Sequence, residues 1–188
     1  MAEVLTVARS ELILGGQRSG KSRRAELLAR AWLAQSRSHQ AVLIATAQAH
    51  DAEMRERIAR HQRDRAERVP GLQTVEEPLE LARAITARSR PDTLLVVDCL
   101  TLWLTNHLMP AQGAAGEAPI AAMLQALRTA PGPVVLVGNE IGLGVIPMGR
   151  EVRHFVDALG RLNQDVASVC ERVSFMAAGL PLTLKGQT

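Results

Sequence analysis

Residues 12–26 read LILGGQRSGKSRRAE: an aliphatic run, a glycine-rich turn, then Lys21, Ser22 and a helix-forming stretch. Within it, Gly15-Gly16-Gln17-Arg18-Ser19-Gly20-Lys21-Ser22 satisfies G-x-x-x-x-G-K-[ST] at a strand-to-helix junction. That context separates a phosphate-binding loop from a chance glycine turn. Glycine admits positive φ, so successive N–H groups can turn inward around phosphate oxygens. The helix that follows aims its positive end at the same anion. The pattern places Lys21 to reach β/γ oxygens and the Ser22 hydroxyl to ligate Mg²⁺.

Outward from the loop, aliphatic runs of strand length recur at 12–16, 41–46, 93–99, 133–140 and 172–179. Each is apolar on both faces, as expected for a parallel sheet covered on both sides. Helical patterns lie between them, at 20–36, at 51–65 with Asp51 as cap, at 78–88 with Pro78 as first residue, and at 148–170. In the last, Val152, Phe155, Leu159, Leu162, Val166 and Val169 make one apolar stripe. LPLTLK (180–185) is expected as a final strand antiparallel to 172–177. The alternation predicts a doubly wound α/β domain of the P-loop NTPase type, RecA-like, with a mostly parallel sheet and an antiparallel C-terminal edge strand. At 188 residues the chain reads as one domain, with residues 1–10 as a lead-in.

Asp98, closing TLLVVD, fits the second carboxylate that such a loop needs near its magnesium shell, so Ser22 and Asp98 are the expected metal ligands. The net charge of +3 is carried almost wholly by Arg, with Lys21 and Lys185 the two lysines. These Arg residues interleave with Glu and Asp, a pattern that does not point to nucleic acid. Cys99 and Cys170 are too far apart in sequence for a metal-ligand pattern and are read as buried thiols in a reducing compartment. Residues 1–10 carry no apolar signal core, and no run is long enough to span a membrane, so a cytoplasmic protein is expected.

Three further stretches narrow the reading: residues 44–65, 97–108 and 139–164, the last reading NEIGLGVIPMGREVRHFVDALGRLNQ. With GGQRSGKS they resemble the bifunctional adenosylcobinamide kinase / adenosylcobinamide-phosphate guanylyltransferase family of cobalamin biosynthesis, from about Glu11 to Leu184. Gln17 departs from the small residue often found after the double glycine, at a position that contributes backbone. The resemblance implies a two-step enzyme using ATP or GTP on a corrinoid substrate, and a homo-oligomer, a trimer by family. The first step phosphorylates a hydroxyl of adenosylcobinamide. The second transfers GMP from GTP to that phosphate through a guanylyl-histidine and releases pyrophosphate.

His61 is the histidine that holds the family's spacing to Arg65, and imidazole is a suitable nucleophile toward an α-phosphorus. The resemblance makes His61 and Lys21 catalytic. It adds Ala45, Thr46 and Ala47, Gln62, Arg63, Asp64 and Arg65, and Glu76 to the nucleotide contacts, Glu76 as acceptor for guanine N1–H and the 2-amino group. Asn139 and Glu140, ending a strand, are expected to face the corrinoid or the phosphates. A RecA-like ATPase acting on nucleic acid is the rival; it would need stacking aromatics, and aromatics make up only 2% of the chain. A family member with one of the two activities, and a non-catalytic nucleotide-binding regulator, are further alternatives; Lys21, Ser22 and Asp98 together argue against the regulator.

Overall fold

The structure, a computed structural model, describes residues 5–49, 52–112 and 114–186, and the side chains at 52–54, 57, 58 and 61 lie outside that description. Its strands are β1 (Ser10–Gly15), β2 (Gln40–Ala45), β3 (Leu72–Glu76), β4 (Thr93–Asp98), β5 (Val134–Val137), β6 (Arg172–Ala177) and β7 (Leu180–Lys185). They form a seven-stranded sheet in the order β3-β2-β4-β5-β1-β6-β7. All neighbours are parallel except β6 and β7. The helices are α1 (Lys21–Gln35), α2 (Ala52–Arg68), α3 (Leu81–Arg88), α4 (Leu100–Leu108), α5 (Ile120–Thr129) and α6 (Arg150–Val169).

Successive strand residues point to opposite faces, and both faces are apolar. Leu12, Ile44, Leu95, Val97 and Leu136 pack with side chains from α3, α4, α5 and α6. Ile13, Leu43, Val96 and Val135 face the other way, against Ala25, Leu28 and Ala29 of α1. The doubly wound expectation and the antiparallel edge pair are both realised.

Three details differ from the sequence reading. α3 begins at Leu81 rather than at Pro78, because Glu77 Oε1 accepts the backbone N–H groups of Leu79 (3.2 Å) and Glu80 (2.9 Å) and holds residues 77–80 in a turn. The apolar stripe of α6 is buried only at Leu159, Leu162 and Val166; Val152 stays 46% exposed, since the first turn of this helix stands clear of the sheet. β3 and α5 were not expected at all. β3 (LQTVE) carries polar residues at the sheet's edge, and α5 follows the Gly/Ala/Pro-rich segment 110–119. The expected cap Asp51 lies outside the described residues.

Candidate active site

The loop between β1 and α1 turns through three unusual backbone positions. Arg18 (φ 55) and Gly20 (φ 101) are left-handed, and Gly15 admits no side chain: a Cβ there would lie 2.6 Å from both Met176 O and Ser19 Oγ. This folding brings Lys21, the first residue of α1, back over the loop, where its Nζ donates to Gly16 O at 2.6 Å. Ser19 Oγ is buried with no hydrogen-bond partner, an orphan inside the loop. Such groups call for an explanation, and a bound phosphate oxygen is the one that this loop geometry supplies.

Lys21 is buried, and burial lowers its pKa, with Cys99 and Asp98 acting in the opposite direction. The Cys99 thiol is itself pushed up to about 11 by burial and then by Asp98. It is therefore neutral near pH 7, which leaves the Asp98 carboxylate as the neighbour that opposes the effect of burial on Lys21. Asp98 ends β4, paired in register with Ala45 of β2 and Val137 of β5.

From Asp98 the site continues towards β2. Thr46 N donates to Asp98 O (3.2 Å), Thr46 Oγ1 donates to Cys99 O (2.7 Å), and Cys99 N donates to Thr46 Oγ1 (2.8 Å). Thr46 is thus buried and used as a joint between two strand ends, with its side chain turned away from solvent. Beyond it opens a cleft of about 350 Å³, lined by Ala47, Gln48, Ala49, Glu76 and Pro78 and by Arg55, Ala59 and Gln62 of α2. The cleft lies at the carboxyl edge of β2 and β3, where ligands bind in open α/β sheets.

The site residues expected from sequence are distributed unequally over this geometry. Gly15 to Ser22 make the loop, Asp98 stands beside Lys21, and Ala47, Gln62 and Glu76 line the cleft. Ala45 ends β2. Arg63 is exposed, Asp64 pairs with Arg68 at 3.3 Å, and Arg65 Nε lies 4.0 Å from Glu26 of α1. These three residues do not line the cleft. His61 lies in α2, and its side chain is outside the described residues. Glu140 N donates to Gly15 O at 3.1 Å, which ties the 139–149 loop to the phosphate loop. The Glu140 carboxylate accepts Gly142 N within its own loop (2.9 Å). Asn139 N donates to Thr101 Oγ1 (2.9 Å), and its carbonyl accepts from Asn163 Nδ2 (3.1 Å).

Sequence reasoning missed Gln48, Ala49, Arg55, Ala59 and Pro78 as cleft residues. The spacing 55-59-62 along α2 was a legible helical stripe; the loop residues became neighbours only through the pairing of β2 with β3.

Fold and loop together define a P-loop nucleotide-binding protein, with a phosphate cradle at β1–α1 and a separate cleft two strands beyond β5. Residues 11–184 match the family described as cobinamide kinase / cobinamide phosphate guanyltransferase, and the chain belongs to that family. It is 49% identical over 178 residues to the bifunctional adenosylcobalamin biosynthesis protein CobP of Pseudomonas aeruginosa, covering 94% of this chain and 98% of the relative. The bifunctional adenosylcobalamin biosynthesis proteins CobU of Escherichia coli and Salmonella typhimurium are 35% and 36% identical, each match covering 93% of this chain and 98% of the relative. Among solved structures, the flagellar accessory protein FlaH of Methanocaldococcus jannaschii superposes with a TM-score of 0.54 at 12% identity, over 96% of this chain and 80% of that one, a likeness of fold alone. The resemblance drawn from the four sequence blocks is borne out. No helix among the described residues is long and apolar enough to cross a membrane.

Proposed function

We propose that this chain phosphorylates adenosylcobinamide with ATP or GTP and then transfers GMP from GTP to the product, in keeping with its family, with one phosphate cradle serving both steps. The observation that carries this is the pairing of a buried Lys21 beside Asp98 with an open cleft continuing past Thr46 to Glu76. The loop grips the triphosphate, and the cleft takes the guanine, with Glu76 accepting from N1–H and the 2-amino group.

In the kinase step the substrate hydroxyl oxygen attacks the γ-phosphorus and releases its proton to solvent, the bond to the β–γ bridging oxygen breaks, and the nucleoside diphosphate leaves. Lys21 and the loop N–H groups hold the charge that builds on the phosphoryl oxygens. Ser22 and Asp98 suit Mg²⁺, since a hydroxyl and one carboxylate, with phosphate oxygens and water completing the shell, are the donor set that ion prefers. When bound there, Mg²⁺ would draw charge from the β/γ oxygens.

In the transferase step a nitrogen of His61 attacks the α-phosphorus of GTP and pyrophosphate leaves. A phosphate oxygen of the cobinamide phosphate then attacks the same phosphorus, displaces the imidazole, and forms the diphosphate bond. Helix geometry supports a role for position 61. Arg65 and Arg68 lie 4.0 and 3.2 Å from Glu26, so α2 runs beside α1. One turn back towards the carboxyl edge, those helices present positions 61 and 22. The cleft-lining stripe 55-59-62 is a neighbouring face of the same helix.

The corrinoid must reach the γ-phosphate from the open side of the loop. There the segment anchored by Glu140 exposes Leu143 (77%), Val145 (96%), Ile146 (78%) and Met148 (96%), an apolar surface suited to a macrocycle. The reading includes a cytoplasmic homo-oligomer, a trimer by family, that takes no nucleic acid; sedimentation velocity and single-stranded DNA filter binding check the two. The decisive experiment incubates the protein with α- or γ-labelled GTP. Acid-labile α-label should survive denaturation and chase into product on adding cobinamide phosphate. His61→Ala should abolish that label and keep the kinase step; unchanged labelling in this variant sinks the nucleophile assignment.

A further inference from the structure

The stretch WLTNH in α4 is not needed by the chemistry above, yet it touches both walls of the cleft. Asn106 Nδ2 donates to Thr46 O at 2.8 Å and to Pro78 O at 3.0 Å. An amide nitrogen has two hydrogens, so its donor capacity is fully spent on these two carbonyls. One carbonyl belongs to the segment after β2 that continues into Ala47, Gln48 and Ala49. The other belongs to the segment that follows Glu76, the last residue of β3. The two segments are the opposite lips of the cleft, and Asn106 is the side chain that spans them. Trp103, one turn earlier, donates Nε1 to Leu79 O at 2.8 Å and steadies the second lip from the same helix.

α4 starts immediately after Asp98 and Cys99, so the helix that spaces the lips is continuous with the strand that carries the expected magnesium carboxylate. Its own packing is rigid: Leu100, Trp103 and Leu104 are buried to 1% exposure or less. A side chain on such a helix holds its geometry, whereas residues 46–49 and 77–80, which follow the paired strand ends Ala45 and Glu76, are loops.

We infer that Asn106 is a positioning residue for guanine specificity: it fixes the separation of the Ala47 and Glu76 lips so that Glu76 meets the guanine edge. The inference rests on the reading of the cleft as the guanine site. Asn106 touches no reacting atom. Its loss therefore relaxes base selection and leaves the phosphate cradle, Lys21 and the loop, unchanged. Discrimination built on hydrogen bonds to a substrate edge is sensitive to sub-ångström misplacement, while stacking and phosphate contacts are tolerant.

The test is equilibrium binding of the α,β-methylene analogues of GTP and ATP, which keep their phosphates but cannot be cleaved at the α-phosphorus. Asn106→Leu, close in shape and without a donor, should weaken the GTP analogue about tenfold and the ATP analogue less than about twofold. Asn106→Ser, which keeps one donor, should fall between it and the wild type, and it stands in if the leucine variant does not fold. A purely structural loss would lower the active fraction and move neither dissociation constant. Equal weakening of both analogues, or unchanged binding of the GTP analogue in the folded variants, overturns the inference. Glu76→Gln runs alongside. If it leaves the preference for guanine intact, the guanine reading of the cleft fails. If it removes that preference while the Asn106 variants retain it, the clamp fails and the cleft reading stands.

Discussion

Lys21 shows how one side chain can be placed by sequence and tuned by burial. Its spacing in the loop was legible; its pKa, lowered by desolvation and held up by Asp98, exists only in the folded chain. Lys21→Ala should lower kcat/KM of the kinase step at least about 100-fold, as removal of a charge clamp on a transferring phosphoryl group does. Cys170 carries a second residue-level prediction. Burial pushes its thiol from 9.0 up to about 12. A raised acidic group keeps its proton when folded and loses it when unfolded, so its stabilising contribution is complete below pH 9 and is lost as pH rises from 9 towards 12. Relative to Cys170→Ala, the wild type should lose on the order of 1 kcal/mol per pH unit between pH 9 and about 12, read from urea melts at pH 8 and 10. A pH-independent difference between the two would contradict the assignment.

Elements decide what the single residues can do. The β1–α1 turn works because Gly20 is left-handed and lies where a Cβ would come 3.2 Å from Gly179 Cα. Gly20→Ala should cost about 1–3 kcal/mol and weaken nucleotide binding, since the loop would shift to relieve the contact. The segment after β5 makes a different claim. Replacing Val145 and Met148 by Asp should raise KM for the corrinoid and leave the dissociation constant of GTP unchanged, because the substitutions lie on the exposed apolar side; a matching loss of GTP affinity would place that segment on the nucleotide instead. Legibility also varied by element. The glycine loop, β1, β2, β4, β5 and the antiparallel end were readable, since each carries an uninterrupted apolar run or a specific motif. β3 was hidden because an edge strand needs few apolar residues, and Thr74 and Gln73 mask its period. Residues 97–108 were marked by their resemblance, but the work of α4 as a spacer depends on two carbonyls that lie 28 and 60 residues away in the chain.

Over the whole molecule, the proposed nucleotide site would connect the parts: the loop after β1, the end of β4 and the cleft at the ends of β2 and β3. A ligand that binds only the folded state should raise stability by about 2.7 kcal/mol at one hundred times its dissociation constant. GTP should thus shift the melting temperature upward, and Lys21→Ala should show little shift at the same concentration. The sequence by itself determined the phosphate loop, the alternation of strands and helices, and the family. Those depend on local spacing and composition, which a chain displays without folding. Only the tertiary structure decided that Gln62 but not Arg63, Asp64 or Arg65 lines the cleft, and that Glu76, paired with Ala45, lines it together with Ala47. Only it showed Asn106 reaching both lips. Those facts come from strand order and helix rotation, and both are set by how apolar faces bury against one another across distant parts of the chain.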